Sequence, residues 1–389
     1  MRKQRKESGR IEASMIDHKI STYLQQRIDA NDFPSAVYLV AQKGEIVACD
    51  AIGFSVVEPE RIEARLDTVY DLASMTKVLV TGLLAAKLVE QGDLQPGAHV
   101  CHYLKEFETD EKRHITVSDL LAHTSRLPAW RPFYLLVSDP KLVIGEIGTT
   151  PLDNEQNAVT YSDLNFIALG CVIERVTGQH LDQLAAAWIY GPLGLTRTSF
   201  NPAFERRTIA ASENGNGYER QMCIDLGYFA ANSPESSPYR DQAIWGSVHD
   251  GNAYFMNGVA GHAGLFSTAE EVFRIAQQFL TSSATILNPK TCQLFYTNLT
   301  NGMNEHRSFA FQLASTPEST AGPAMSSQSF GHLGFTGTSL WIDPVKERVF
   351  ILLTNRTHHH ELPFENINAV RRQFHEMAVK FLDKNLATI

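Results

Sequence analysis

Ser35-Ala-Val-Tyr-Leu-Val-Ala-Gln42 and Glu45-Ile-Val-Ala-Cys-Asp-Ala-Ile-Gly53 are two apolar runs that only the dipeptide Lys43-Gly44 separates. Both runs are rich in residues that favour strands, and a glycine-containing dipeptide between such runs is typical of a tight turn. The sequence therefore predicts a β-hairpin, so the chain opens on a sheet.

Helical patterns flank this hairpin and dominate the middle of the chain. Apolar spacing predicts a helix over 16–28 and a strong helix over 75–91 that ends at Gly92. Further helices are expected over 116–123, 162–177 and 181–190; strand-like runs return only over 339–343 and 348–354, ahead of a last helix at about 367–386. A sheet that is interrupted by helices and then resumes indicates an α/β fold built from both ends of the chain.

Three regions follow from this order. We expect an α/β domain over 15–95 plus 245–389 and a helical insertion domain over 96–244. Residues 1–14 are predicted to form a disordered basic arm, because the first ten residues carry Arg2, Lys3, Arg5, Lys6 and Arg10 against Glu7. The apolar stretch that follows such a start in a secretory signal is missing.

The composition excludes several classes of function. Of 389 residues, 43% are hydrophobic and 20% charged, so the chain can bury a sizeable core and is neither disordered nor a coiled coil. A net charge of −9 argues against a nucleic-acid partner, because phosphate binding needs clustered Lys and Arg. No apolar run approaches the roughly 20 residues that span a bilayer, so no membrane partner is expected.

The cysteines indicate a reducing compartment. They are odd in number, scattered and never at Cys-x-x-Cys spacing: Cys49, Cys101, Cys171, Cys223 and Cys292. This pattern fits neither a disulfide framework nor a thiolate zinc site. We therefore expect reduced thiols and a cytoplasmic location.

Ser74-Met75-Thr76-Lys77 is the first group of residues that could carry chemistry. On a helix, positions i and i+3 share a face, so the Ser74 hydroxyl and the Lys77 amine can reach each other. A serine becomes a nucleophile when a neighbour takes its proton, and a desolvated lysine whose pKa is lowered can do so. The alternative is that Ser74 caps the helix and Lys77 is a solvated surface residue.

Two further groups follow later in the chain. Tyr161-Ser162-Asp163 lies before a predicted helix, where Tyr161 could relay a proton and Ser162 or Asp163 could bind lysine or substrate. The alternative is a helix cap with a packed tyrosine. Gly331-His-Leu-Gly-Phe-Thr-Gly-Thr338 precedes a strand, where its glycines allow a close backbone approach to substrate or form only an edge bulge.

Taken together, the three groups resemble those of the serine β-lactamase and penicillin-binding protein superfamily, in its class C and carboxylesterase-like branch. Supporting stretches extend the resemblance over about 15–386, namely Ile115-Thr-Val-Ser-Asp-Leu-Leu-Ala-His-Thr-Ser125, Tyr161-Ser-Asp-Leu-Asn-Phe-Ile-Ala-Leu-Gly170 and Gly191-Pro-Leu-Gly-Leu195. The resemblance implies an antiparallel sheet flanked by helices, with an inserted helical region and an active site at their junction.

The resemblance also implies residue roles. Ser74 would be the acylated nucleophile, Lys77 its activating base and Tyr161 the group that shuttles protons and activates water. The backbone amides of Ser74 and Phe335 would form the oxyanion hole. His332-Leu333-Gly334 stands where the family often has Lys-Thr-Gly, and His332 would offer a substrate carboxylate a switchable charge.

Three departures from the family pattern weigh against penicillin hydrolysis. Asp163 replaces the usual asparagine, so it could hold Lys77 protonated, or Asn165 could take over the amide role. Ser125-Arg126 replaces the usual Ser-Gly, and His332 replaces the lysine. Acyl transfer itself needs none of the three family residues that are lost.

Two further stretches resemble a narrower group, the penicillin-binding-protein-like hydrolases and cell-wall amidases. They are Gly246-Ser-Val-His-Asp-Gly-Asn-Ala253 and Gly258-Val-Ala-Gly-His-Ala-Gly-Leu-Phe-Ser-Thr268. Within them, His249 and Asp250 could line the acyl site, whereas His262 is expected to be structural. Trp130 could form a pocket wall or cover the core of the helical region.

The sequence therefore predicts a serine hydrolase that cleaves a small ester or amide, which could be a cell-wall-derived peptide, without cofactor or metal. Two alternatives remain open. One is a binding or scaffold protein that keeps the fold with little or no activity. The other is a metal-dependent hydrolase that uses His249, Asp250, His262 or the His358-His359-His360 run.

Overall fold

The computed structural model describes residues 16–155, 157–228 and 239–386. The predicted basic arm, residues 1–14, lies outside them. Twelve strands are assigned there: β1 (Ser35–Gln42), β2 (Glu45–Val56), β3 (Ile62–Glu63), β4 (Tyr70–Asp71), β5 (Ser199–Phe200), β6 (Ala211–Asn214), β7 (Ala243–Trp245), β8 (Leu265–Ser267), β9 (Gln312–Leu313), β10 (Phe330–Leu333), β11 (Ser339–Asp343) and β12 (Arg348–Thr354).

The main sheet has seven antiparallel strands in the order β3-β2-β1-β12-β11-β10-β9. The predicted hairpin β1-β2 pairs with the C-terminal strands. Leu39 of β1 lies opposite Cys49 of β2 on one side and opposite Ile351 of β12 on the other. This pairing confirms that the sheet is built from both ends of the chain. The short strands form two small sheets, β4-β8-β5 and β6-β7.

The central strands are buried on both faces, and each face has its own hydrophobic core. Alternate residues of β1 point to opposite sides, so Val37 and Leu39 belong to one core and Tyr38 to the other. The Tyr38 side packs on the first and last helices, through Leu24 and Phe374. The opposite side packs on the remaining helical layer, where the nucleophile candidate lies.

Helices fill the layers on both sides of the sheet. Their bounds are α1 (His18–Asp29), α2 (Leu83–Gln91), α3 (Val117–Ala122), α4 (Phe133–Leu136), α5 (Val143–Thr149), α6 (Asp163–Thr177), α7 (Leu181–Ala185), α8 (Gly191–Leu193), α9 (Gly217–Asp225), α10 (Gly251–Phe255), α11 (Ala269–Ala276), α12 (Pro289–Cys292) and α13 (Asn368–Leu386). None of the described helices is long and apolar enough to cross a bilayer.

The helix predicted over 75–91 is not uniform. A 3₁₀ turn (Ala73–Met75) leads into a π-helical segment (Lys77–Gly82), and only then does α2 run to its left-handed cap at Gly92. The Thr81 hydroxyl donates to Gly261 O at 2.7 Å, so the widened segment is fastened to the 261–262 loop. Such widened turns often accompany functional sites.

The strand prediction was incomplete. Strands β5 to β8 lie in the middle of the chain, where strand-like runs were not expected, and Phe330–Leu333 is a strand within the predicted glycine-rich stretch. These strands have two to four residues, which is too short for an alternating apolar pattern to be recognised in the sequence.

Candidate active site

Ser74 lies on a strained turn that lines a cavity of about 620 Å³. The residue before it, Ala73, has φ of +47°, a conformation that non-glycine residues rarely adopt. Asp71 holds it there, because its carboxylate accepts the Ala73 N–H at 2.8 Å and the His249 N–H at 2.7 Å. The turn therefore presents the Ser74 hydroxyl from a rigid backbone.

Lys77 is fully buried beneath Ser74. Its Nζ lies 2.9 Å from Ser74 Oγ, 2.7 Å from Asp163 Oδ1 and 3.0 Å from His262 O. Burial on its own would lower the pKa of Lys77, but Asp163 and Tyr161 outweigh it and the net shift is upward. The lowered pKa that the sequence suggested for an apolar site is therefore wrong; Asp163 keeps the resting lysine protonated.

Tyr161 lies between two cations. Lys77 Nζ is 5.1 Å and Arg307 Cζ 5.2 Å from the centre of its ring, and its hydroxyl contributes to the raised pKa of Lys77. Tyr161 lines the cavity with Ser74 and Asp163. The structure thus brings together the nucleophile, the lysine, the tyrosine and the aspartate that sequence analysis singled out.

His332 is a neutral imidazole, not the switchable cation expected from the sequence. Burial, followed by the charges of Arg307 and Lys77, lowers the pKa of His332 well below its usual range. Its Nδ1 lies 2.8 Å from Leu333 O, which makes Nδ1 the protonated nitrogen and leaves Nε2 as a buried acceptor without a protein partner. His332 does line the cavity, where it can accept a hydrogen bond but cannot supply a positive charge.

Asn165 is not among the residues that line the cavity. Its side chain is fully buried, where Oδ1 accepts the Ser125 hydroxyl at 2.5 Å and the amide nitrogen lies 3.2 Å from His123 Nδ1. The same His123 nitrogen accepts the Ser162 N–H at 3.0 Å. Asn165 and His123 therefore hold the Tyr161–Asp163 turn from behind, and the amide role predicted for Asn165 is wrong.

The remaining predicted residues line the cavity: Trp130, His249, Asp250, Gly334 and Phe335. Only glycine fits at position 334, because a Cβ atom there would overlap Thr338 Oγ1 and come within 2.5 Å of Leu72 O. The tight packing of Gly334 on Leu72 brings the end of β10 against the Ser74 turn. Phe335 thus borders the same cavity as the nucleophile.

His249 and Asp250 each form an ion pair with a partner that the sequence did not identify. His249 Nε2 lies 2.8 Å from Glu213, and Asp250 lies 2.9 Å from His262 Nε2. Although burial opposes both charged forms, Glu213 raises the pKa of His249 and His262 lowers that of Asp250. His262 itself is not among the residues that line the cavity.

Donor atoms of Asp163, Asp250 and His262 lie within 4.8 Å of one another, a grouping that a metal ion could use. The Lys77 ammonium already bonds to Asp163 and to the carbonyl of His262, so it occupies the place of a cation. His358 of the triple-histidine run is committed elsewhere: it accepts the Val57 N–H, and burial lowers its pKa to about 4. His358 therefore lies in the protein interior.

Arg307 is a cavity residue that sequence analysis missed. Its side chain is about 6% exposed and pairs with Glu305 through Nη2 at 2.8 Å, while Nε and Nη1 are buried with no protein partner. It borders the cavity beside Tyr161 and His332. No local pattern around Arg307 signals this position, because the residue is brought to the cavity only by the tertiary fold.

Comparisons with known proteins agree with this fold. The Beta-lactamase family profile matches residues 20–373. An Escherichia coli K12 protein, provisionally named a D-alanyl-D-alanine carboxypeptidase, is 32% identical over 370 residues, covering 88% of this chain and 82% of that protein. A Bacillus subtilis N-acetylmuramyl-L-alanine amidase is 31% identical, covering 87% and 81%.

Solved structures share the fold at low identity. The hydrolase EstCE1, described as having promiscuous acyltransferase activity, superposes with a TM-score of 0.70 at 20% identity, covering 92% of this chain and 97% of its own. A class C β-lactamase superposes with a TM-score of 0.69 at 16% identity, covering 94% and 96%. With a family match over most of its length, the chain belongs to the β-lactamase family and is an enzyme of that superfamily of serine hydrolases.

Proposed function

We propose that this protein hydrolyses a small ester or amide through an acyl intermediate on Ser74. The observation that carries the proposal is the unbroken chain of contacts from Ser74 Oγ to Lys77 Nζ at 2.9 Å and on to Asp163 Oδ1 at 2.7 Å. A hydroxyl on a strained turn, in contact with a proton carrier and open to a cavity, meets the requirements of nucleophilic catalysis.

Because the resting lysine is protonated, the Ser74 proton needs a relay. Lys77 first passes one proton to Asp163 and then, as the free amine, takes the proton of Ser74 while Oγ bonds to the substrate carbonyl carbon. The bond to the leaving group breaks as that group receives a proton from Tyr161. Water then gives a proton to Tyr161 and adds to the acyl carbon as the bond to Ser74 breaks. Ser74 regains its proton from Lys77, and Asp163 returns its proton to Lys77.

The oxyanion of this reaction needs donors that are already in place. We assign this role to the backbone N–H groups of Ser74 and Phe335, which lie on the two segments that Gly334 packs together. The ion-paired His249 and Asp250, with Trp130, would contact the substrate on other walls of the cavity.

The substrate class that fits best is a small peptide or acyl amino acid with a free carboxylate. The guanidinium of Arg307 pairs with Glu305 and borders the cavity, and carboxylates are its preferred partners. The names of the E. coli and B. subtilis relatives also point to cell-wall peptides and amides.

A substrate panel tests the proposal. Native protein and Ser74→Ala are incubated with p-nitrophenyl esters, D-alanyl peptides, muropeptides and nitrocefin, and products are measured by absorbance and mass spectrometry. We expect turnover of at least one ester or peptide by native protein alone. A native protein that turns over none of them and gains no adduct from a fluorophosphonate probe would be a scaffold.

Asp163→Asn is expected to give the acylation rate a new acidic limb set by Lys77 itself, because the variant lacks the carboxylate that takes the first proton from the lysine. Burial without Asp163 lowers the pKa of Lys77, so this limb should lie below the usual range of a lysine. The measurement is the burst rate with p-nitrophenyl acetate as a function of pH. An unchanged profile in a folded Asp163→Asn protein would exclude Asp163 from the relay.

Arg307→Gln is expected to raise KM about 10- to 100-fold for a substrate with a free carboxylate and to leave the KM of its methyl ester nearly unchanged. A charge-assisted hydrogen bond contributes about 1.5–3 kcal/mol, which gives this range. Because His332 is neutral, KM in native protein should not follow an imidazole titration between pH 5.5 and 8. Equal effects on acid and ester would show that Arg307 acts only through packing.

A further inference from the structure

Three side chains of types that can bind metals lie close together near the protein surface. Donor atoms of His99, Cys101 and His102 all lie within 4.8 Å of one another, and a fourth candidate, His114, has its ring 6.0 Å from that of His99. His99 and Cys101 are half-buried, whereas His102 and His114 are exposed. None of the four lines the catalytic cavity, and the mechanism above uses none of them.

The backbone holds this cluster in place without a metal. His99 forms an antiparallel bridge with Thr116, and the Val100 N–H donates to Ile115 O at 2.8 Å. Val100 and Ile115 are buried between these contacts and anchor both segments in the core. The short 3₁₀ turn Val100–His102 then projects Cys101 and His102 beside His99.

The donor set selects the class of metal. Two imidazoles and a thiolate, with no carboxylate among them, suit a borderline transition metal and are poor ligands for Mg²⁺ or Ca²⁺. Tetrahedral zinc with bonds of about 2.0–2.3 Å places its ligands about 3.5 Å apart. The donor atoms must therefore move closer together when a metal binds. Rotation of the exposed His102 side chain would bring its nitrogen closer, and rotation of His114 would supply a fourth ligand.

We propose that His99, Cys101 and His102, with His114 as the fourth ligand, bind one zinc ion that clasps residues 98–103 to residues 112–117. The Cys101 thiol, which now lies 3.5 Å from Arg113 O, would release its proton on binding. We expected no thiolate zinc site because the sequence has no Cys-x-x-Cys spacing. A site built on a His-x-Cys-His pattern does not need that spacing.

Cobalt titration of the tag-free full chain tests this site, because Co²⁺ takes zinc geometry and its bond to a thiolate absorbs in the near ultraviolet. We expect this absorption to saturate at one Co²⁺ per chain and to disappear when Zn²⁺ displaces the cobalt. Cys101→Ser and His99→Gln should remove it and weaken Zn²⁺ binding, measured against a chromogenic chelator, by at least about tenfold. His180→Gln, at an exposed histidine outside the cluster, is the matched control and should bind as native protein does.

Two results would overturn the proposal: no thiolate absorption in native protein, or absorption that persists in Cys101→Ser. Circular dichroism checks that each variant is folded, and Zn²⁺ should raise the melting temperature of native protein but not of Cys101→Ser. A cation at Asp163, Asp250 and His262 would give no thiolate absorption. Labelling of Ser74 by a fluorophosphonate should be the same in all variants, so failure here leaves the proposed hydrolase untouched.

Discussion

Ser74→Ala should lower the turnover of the best substrate by at least about 10⁴-fold and abolish covalent labelling by a fluorophosphonate. The Ser74 hydroxyl oxygen is the atom that would carry the acyl group. Neither Lys77 nor Asp163 can replace it as the nucleophile. The change removes only one oxygen from a half-buried side chain on a turn that Asp71 holds through the backbone. Stability should therefore stay close to that of native protein, measured as the melting temperature.

An exposed serine outside the cavity provides the control. Ser138→Ala should retain native turnover and labelling. Intact-mass spectrometry measures the adduct, and peptide mapping locates it. A labelled Ser74→Ala protein, or one that keeps native turnover, would exclude the acyl-Ser74 mechanism.

Lys77→Met should reduce acylation about 10³-fold, because the Ser74 hydroxyl loses the amine that lies 2.9 Å from it and would carry its proton. The same substitution leaves the Asp163 carboxylate without its cation in a largely buried place, which costs about 3–5 kcal/mol of stability. Burst kinetics with p-nitrophenyl acetate and urea unfolding measure the two effects separately.

The double variant Lys77→Met, Asp163→Asn separates chemistry from folding. It removes both charges, so stability should recover in large part while acylation stays about 10³-fold down. Recovery of activity together with stability would mean that Lys77 acts only by holding the fold. Native acylation rates in folded Lys77→Met would exclude the lysine from the relay.

Local patterns were sufficient for the long elements and for the residues that we propose to carry the reaction. The hairpin β1-β2, strands β11 and β12 and helix α6 follow from periodicities that extend over five or more residues. Ser74 and Lys77 are one helical turn apart, so their contact follows from spacing alone. Asp163 could be placed beside Lys77 only through the family resemblance.

The charge states of the site residues could not be predicted from local sequence patterns. Whether Lys77 is neutral or charged depends on the competition between burial and Asp163, residues 86 positions apart. His332 loses its charge because it is buried and because Arg307, from a different segment, lies beside it. Asn165 was assigned to the substrate but faces Ser125 and His123, which a one-dimensional pattern cannot reveal.

The sequence by itself determined the sheet built from both chain ends, the family and the candidate nucleophile, because each depends on residue order and short-range spacing. The tertiary structure alone decided which groups are charged, that Arg307 borders the cavity and that His114 adjoins His99. These properties depend on distances between segments far apart in the chain. Electrostatic energies change steeply over such distances once water is excluded.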